Sequence, residues 1–346
     1  MTRSLAARRF LLPLTPLYRA ALALREWRLR SGLEPVRRLR QPVISVGSLS
    51  AGGSGKTPLT IALAQALTRR GLHVDVLSRG YGRSSKAALR VDPNGAAEDF
   101  GDEPLLIARE SGVAVYVAAQ RYEAGMMAES ALNDPGAQAV HLLDDGFQHR
   151  QLHRDLNILI LDSRDLHDHL LPAGNLREPM NALQRATVLA IPSDDRDLEH
   201  FLLEPVPIDR NSEEPRWIGP LWRLKRRMEV PSVAGPVVAF CGIARNDQFF
   251  AGLEERGLHL ASRIAFADHH RYLQHDLDCI LDAGRSINAA AFITTEKDRV
   301  RLGPHAASFT ESCPLRTAQL TIEIDDQDAA VAWMLDRLSI IPKSNI

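Results

Sequence analysis

The chain of 346 residues is poor in cysteine, in net charge and in long apolar runs. Its three cysteines, Cys241, Cys279 and Cys313, are odd in number and lack metal-ligand spacing. That excludes a disulfide-stapled scaffold and fits a reducing compartment. Lys and Arg number 42 against 43 Asp and Glu, so the formal charge of −1 sets up no whole-chain field toward nucleic acid or a membrane. Near the amino terminus the longest uncharged stretch, Phe10 to Tyr18, contains Pro13 and Pro16. A spanning helix needs about 20 apolar residues, so this stretch cannot cross a bilayer. Arginines resume at once and no small-residue cleavage site follows, so it does not read as a signal peptide either. Internal repeats and low-complexity tracts are absent.

What is present is ordinary globular composition, 45% hydrophobic and 25% charged, in a length that suits two domains of about 100–200 residues each. Charge is unbalanced only locally: residues 1–40 carry ten arginines against Glu26 and Glu34. Leu14, Leu17, Tyr18, Ala21 and Leu22 follow helical spacing, with Arg19, Arg25 and Glu26 off that stripe. Such a helix packs on the body of the protein, or rests on an anionic membrane surface or an amphipathic substrate, and the arginine excess favours the second.

After Pro42, short apolar runs alternate with helical segments: Val43–Val46, Val74–Leu77, Val113–Val117, Val140–Leu143, Leu156–Leu161 and Thr187–Ile191. The alternation predicts an α/β fold, a mostly parallel sheet with helices on both faces. A proline-rich connection follows, with strand character at Trp217–Leu224, and then a second strand–helix alternation. The reading is a basic helical segment at 1–40, a nucleotide-binding domain at 41–200, a connection at 201–235 and a smaller α/β domain at 236–346.

Ser50-Ala-Gly-Gly-Ser-Gly-Lys-Thr57 lies directly between a strand and a helix, the context that distinguishes a phosphate-binding loop from a chance match. Ser50, Ala51, Gly52, Gly53, Ser54 and Gly55 would cradle phosphates with backbone N–H groups. Lys56 would reach the β- and γ-phosphates, and the Thr57 hydroxyl would ligate Mg²⁺. Ser50 stands where the first glycine usually sits. The run Val140–Asp145 ends in two carboxylates that suit the metal side of an ATP site, Asp144 favoured as the metal-side residue and Asp145 as an additional ligand or one behind it. Ala51 stands where partitioning and metallochaperone ATPases carry an extra lysine, and no Asn-Lys-x-Asp signature selects guanine. A kinase also needs a proton acceptor and a cation for the transferring phosphoryl group. Gly101-Asp-Glu-Pro104, Asp268-His269-His270 and Leu176-Arg-Glu-Pro179 supply candidates.

As an ordered set these motifs, with Ser78-Arg-Gly-Tyr-Gly82, Asp144-Asp-Gly-Phe-Gln-His149, Leu171-Pro-Ala-Gly174, Phe240-Cys-Gly-Ile243 and Thr294-Thr-Glu-Lys-Asp298, closely resemble the tetraacyldisaccharide 4′-kinases of lipid A biosynthesis. The resemblance implies transfer of the ATP γ-phosphate to the 4′-hydroxyl of a tetraacylated glucosamine disaccharide 1-phosphate. It also implies a peripheral enzyme on the cytoplasmic face of the bacterial inner membrane, with no nucleic acid and no obligate protein partner. By position, Asp102 matches the family's catalytic carboxylate and His269 its histidine partner. Asp144 and Asp145 match the Mg²⁺ site, while Glu103, Gln148, His149 and Arg177 match polar positions around phosphates and sugar. The rival readings are a kinase of a soluble sugar or nucleoside, and a phosphate-loop ATPase acting as a chaperone or switch.

Overall fold

The structure, a computed structural model, describes residues 8–132, 138–207, 213–310 and 313–340. In chain order the strands are β1 Val43–Ser48, β2 His73–Ser78, β3 Leu89–Arg90, β4 Ala114–Val117, β5 Ala139–Asp144, β6 Leu156–Ile160, β7 Val188–Pro192, β8 Pro205–Pro207, β9 Glu213–Pro215, β10 Leu221–Glu229, β11 Pro236–Cys241, β12 His259–Ala265, β13 Ala291–Thr295 and β14 Leu315–Ile324. The helices are α1 Thr15–Arg30, α2 Lys56–Arg69, α3 Ala97–Phe100, α4 Asp102–Ser111, α5 Arg121–Ala131, α6 Arg196–Leu203, α7 Asn246–Glu255, α8 Gln274–Ser286, α9 Glu296–Leu302 and α10 Gln327–Arg337.

Twelve strands form one sheet in the order β12-β11-β13-β14-β10-β7-β6-β1-β5-β2-β4-β3. All neighbours are parallel except β10–β14 and β3–β4. The two long strands in the middle are each shared between lobes. β10 pairs with β7 through Leu221–Leu224 and with β14 through Leu224–Glu229, while β14 pairs with β13 through Leu315–Ala318. An antiparallel ribbon thus joins a sheet built from the first alternation to one built from the second.

Both sheets are covered on two faces, because successive strand residues point in opposite directions. Ile44, Val46, Val140 and Leu142 pack with Leu59, Leu63 and Leu67 of α2 and Leu105 of α4. Val43, Leu77 and Leu143 meet Ala124 and Ala128 of α5 on the other side. In the second lobe, Val237, Ala239 and Cys241 pack on Phe249, Phe250 and Leu253 of α7. Val238 and Phe240 pack on Leu277 and Ile280 of α8.

The amino-terminal helix forms, but its inward face differs from the expected stripe. Tyr18, Leu22, Arg25, Glu26 and Leu29 are half-buried, whereas Leu14, Leu17 and Ala21 are exposed. Polar contacts turn it: Arg25 donates to the Gln148 carbonyl, Glu26 pairs with Arg150, and the Tyr18 hydroxyl donates to the Arg177 carbonyl at 2.8 Å. Residues 1–7 of the basic segment lie outside the described residues.

Candidate active site

Ligands of open α/β sheets lie beyond the carboxyl ends of the strands. Here the chain leaves β1 into residues 49–55, whose Gly52, Gly53 and Gly55 have φ of 79°, 61° and 93° and so turn successive N–H groups inward. Lys56 opens α2, with Nζ 3.3 Å from Ser48 Oγ, 3.2 Å from Ser54 Oγ and 3.7 Å from Asp145 Oδ1. Thr57 is buried beside it. The second lobe closes over this loop. A Cβ on Gly53 would fall 2.7 Å from the Arg245 side chain, and Arg226 donates to the Ser54 carbonyl at 2.8 Å.

At the end of β5 the two adjacent carboxylates differ. Asp145 receives both arms of Arg177, Nη1 and Nη2 each at 2.8 Å. Burial opposes its ionisation, but Lys56 and Arg177 override that and hold it well below the usual carboxylate range. Asp144 accepts from Thr60 Oγ1 at 3.3 Å, and burial, reinforced by Glu103 and Asp145, pushes it up to about 7. A buried carboxylate among acids, next to a phosphate loop and the Thr57 hydroxyl, fits a small hard cation. Mg²⁺ characteristically takes one or two protein oxygens and completes its shell with phosphate and water. Consistent with so sparse a set, no cluster of three His, Cys, Asp or Glu suited to a metal occurs among the described residues.

Gln148 and His149 follow on the same turn. Gln148 Nε2 donates to the Ser48 carbonyl at 3.0 Å. Burial, with Arg121, Arg154, Arg25 and Arg79 nearby, pushes His149 down to about 3, so its imidazole is neutral at physiological pH. Arg177 Nη2 also reaches the Ser48 carbonyl at 3.2 Å, tying this turn to the end of β1.

Asp102 and His269 lie 167 residues apart in the chain and meet across the lobes, His269 Nδ1 to Asp102 Oδ2 at 3.1 Å. Gly101, at φ 91°, lets the backbone turn into α4; a Cβ there would stand 3.0 Å from the Gly80 Cα. His269 itself sits at φ 58°, and the Tyr81 ring lies 5.2 Å from the imidazole. Burial works against ionisation of Asp102, but the His269 bond and the Arg301 charge hold it well below the usual range, while that same bond raises His269. Glu103 pairs with Lys297, which outweighs burial and keeps its carboxyl ionised. Glu103 is the link toward the phosphate loop: Lys56 acts on it, and it acts on Asp144. A cleft of about 1370 Å³ opens between the lobes, with Asp102, His269 and Tyr81 on its wall.

Two groupings thus emerge: Lys56, Asp145, Arg177 and Gln148 around the end of β1, and Asp102 with His269 on the wall of the inter-lobe cleft. Three residues here were not singled out in the sequence: Arg301 on α9, and Arg226 and Arg245 against the phosphate loop. Lys297 was visible within Thr294–Asp298 but had no assigned role. Arg301 carries no local signal, because its partner Asp102 is 199 residues away.

Comparison with known proteins identifies the family. The family model described as tetraacyldisaccharide-1-P 4′-kinase matches residues 7–339. A tetraacyldisaccharide 4′-kinase of Koribacter versatilis (strain Ellin345) is 39% identical over 329 residues, 92% of this chain and 96% of that protein. One from Aquifex aeolicus (strain VF5) is 37% identical, covering 84% and 89%. The crystal structure of Aquifex aeolicus LpxK described as the apo form in complex with ATP superposes with a TM-score of 0.71 at 31% identity, over 96% of this chain and 99% of that one. The chain belongs to the tetraacyldisaccharide 4′-kinase family and is a phosphate-loop kinase of lipid A biosynthesis.

Proposed function

We propose that this chain transfers the γ-phosphate of ATP to the 4′-hydroxyl of tetraacyldisaccharide 1-phosphate, with Asp102 as the proton acceptor. The observation that carries the reading is the meeting of Asp102 and His269 from opposite lobes, with the adjoining Glu103 under the charge of Lys56. Residues 50–57 hold the phosphates by backbone N–H groups, and Lys56 compensates charge as the bond to ADP breaks. Arg177 fixes Asp145 and the end of β1 so that this charge pattern is set before substrate arrives. Asp102, ionised and oriented by His269, takes the proton of the attacking hydroxyl, whose oxygen bonds to the γ-phosphorus. Neutral His149, Gln148 and Glu103 are sugar or phosphate contacts. Thr57 and Asp144 would hold Mg²⁺, which when bound neutralises phosphate charge. Because the acid–base pair spans residues 41–200 and 236–346, closure of the two lobes assembles it and excludes water, which suppresses ATP hydrolysis.

The substrate carries four acyl chains, and α1 supplies an apolar face next to the site. Leu14, Leu17, Leu24 and Trp27 are exposed, while Tyr18 and Arg25 anchor the helix to the loops that carry Arg177 and Gln148. No helix among the described residues is long and apolar enough to cross a membrane. Peripheral attachment through α1 to the cytoplasmic face of the inner membrane supplies the lipid.

The test is transfer of labelled γ-phosphate to tetraacyldisaccharide 1-phosphate in detergent micelles, with wild type and Asp102→Asn compared. Lipid product from wild type and a drop of about 10²–10⁴-fold in the variant are expected. Label released only as free phosphate would mark an ATPase. Near wild-type turnover by Asp102→Asn would remove the base.

A further inference from the structure

Arg301 contributes to no step of the mechanism above, yet it makes the densest set of contacts at the site. Its Nε lies 2.7 Å from Asp102 Oδ2, and its Nη2 reaches the same oxygen. Nη1 donates to the Gly242 carbonyl at 2.6 Å and to Asp298 Oδ1 at 3.0 Å. Asp298 is fully buried and immobilised in turn by the Gly242 N–H at 3.0 Å, the Tyr272 hydroxyl at 2.9 Å and Thr295 Oγ1 at 2.6 Å. The guanidinium, 6% exposed, is therefore a strut between the core of the second lobe and Asp102 of the first.

The hydrogen bonds described to the Asp102 side chain all end on Oδ2, two from Arg301 and one from His269 Nδ1. With that oxygen saturated, Oδ1 is the one left to meet a substrate hydroxyl. We infer that Arg301 is a positioning residue that fixes Asp102 through Oδ2 and presents Oδ1 to the acceptor, an inference resting on Asp102 being the base. The planar two-armed contact is what a carboxylate needs for orientation, and lysine cannot reproduce it. The same charge keeps Asp102 ionised. The other groups acting on Asp102 are His269 and Lys297, with Glu103 its neighbour on α4 and Asp268 acting on His269 and Arg301. Arg301 Nη2 also lies 3.3 Å from His269 Nδ1 and opposes a positive charge there.

The test compares Arg301→Lys, Arg301→Gln and Asp102→Asn in the γ-phosphate transfer assay, each checked for folding by circular dichroism. Removing one partner of a buried pair is costly, so the lysine variant, which keeps the charge, carries the test if the glutamine variant does not fold. Arg301→Lys should lose about ten- to a hundredfold in kcat, the range for a misplaced group, with its KM for ATP unchanged. Folded Arg301→Gln should move the acid limb of kcat/KM up by about 1–3 pH units, the shift expected when an adjacent opposite charge is lost. A purely structural ion pair would lower stability but leave the kcat of folded Arg301→Lys at the wild-type value. Wild-type kcat in Arg301→Lys, an unmoved limb in Arg301→Gln, or a gain in turnover, each with Asp102→Asn inactive, would overturn the role of Arg301 alone. An active Asp102→Asn would instead overturn the base, and this inference with it.

Discussion

Asp144 and Asp145 share a peptide bond and little else. Asp144 ends β5 and Asp145 turns the backbone at φ 48°, so Asp144 meets the buried Thr60 while Asp145 meets Arg177 and Lys56. The first is a carboxylate short of positive charge, the second one already neutralised. Asp144→Asn should accordingly raise the Mg²⁺ concentration for half-maximal activity by more than about tenfold, the scale on which metal-site residues act. Asp145→Asn should lower turnover, by releasing Arg177, with a smaller change in Mg²⁺ requirement. A Mg²⁺ titration of both variants checks this, and equal shifts would contradict it. The sequence favours Asp144 as the metal-side residue, but the partner that occupies Asp145 is an arginine 32 residues further on and leaves no local mark.

At the scale of one element, α9 concentrates much of the site's wiring in seven residues. Thr295 caps it by accepting from the Asp298 N–H, Lys297 reaches Glu103, and Arg301 reaches Asp102. Glu296 opens the helix, and burial pushes it up to about 7 from its ordinary 4.5. A raised folded-state value means that the native protein binds this proton more tightly than the unfolded chain. The associated stability is therefore complete below about pH 4.5 and is lost as pH rises through 7. Glu296→Gln keeps an acceptor for the Leu320 N–H and removes the ionisation. It should raise stability by about 1–3 kcal/mol at pH 8, allowing for solvent screening, and leave it unchanged at pH 4. Urea midpoints at the two pH values measure this. Only the motif at Thr294–Asp298 was legible in the sequence; the helix it opens and the partners of that helix were not, because those partners belong to the other lobe.

For the whole molecule, the β10–β14 ribbon is the joint that brings two α/β layers edge to edge, and α1 lies on the loops carrying Gln148 and Arg177 with Leu17, Leu24 and Trp27 exposed. Leu17 and Trp27 are 72% and 58% exposed, so changing them should touch membrane contact and not the fold. Leu17→Glu combined with Trp27→Glu should reduce co-sedimentation with anionic phosphatidylglycerol vesicles by about tenfold or more, given the apolar burial each side chain would lose. The melting temperature should stay within a degree or two. Undiminished sedimentation would remove α1 as the docking element.

The sequence by itself determined the local features. Short, near-continuous apolar runs give the strands, the Gly-Lys-Thr head gives the start of α2, and helical spacing with a charge imbalance in residues 1–40 gives a basic amphipathic helix. These depend on neighbours within a few residues. The face that α1 turns inward, the different surroundings of Asp144 and Asp145, and the grip of Arg301 on Asp102 were decided only in the tertiary structure. Each is an interaction between groups tens to hundreds of residues apart, from Arg177 on Asp145 within the first lobe to Arg301 on Asp102 across the two. Such partners meet only when the chain has folded, so no local window of sequence carries them.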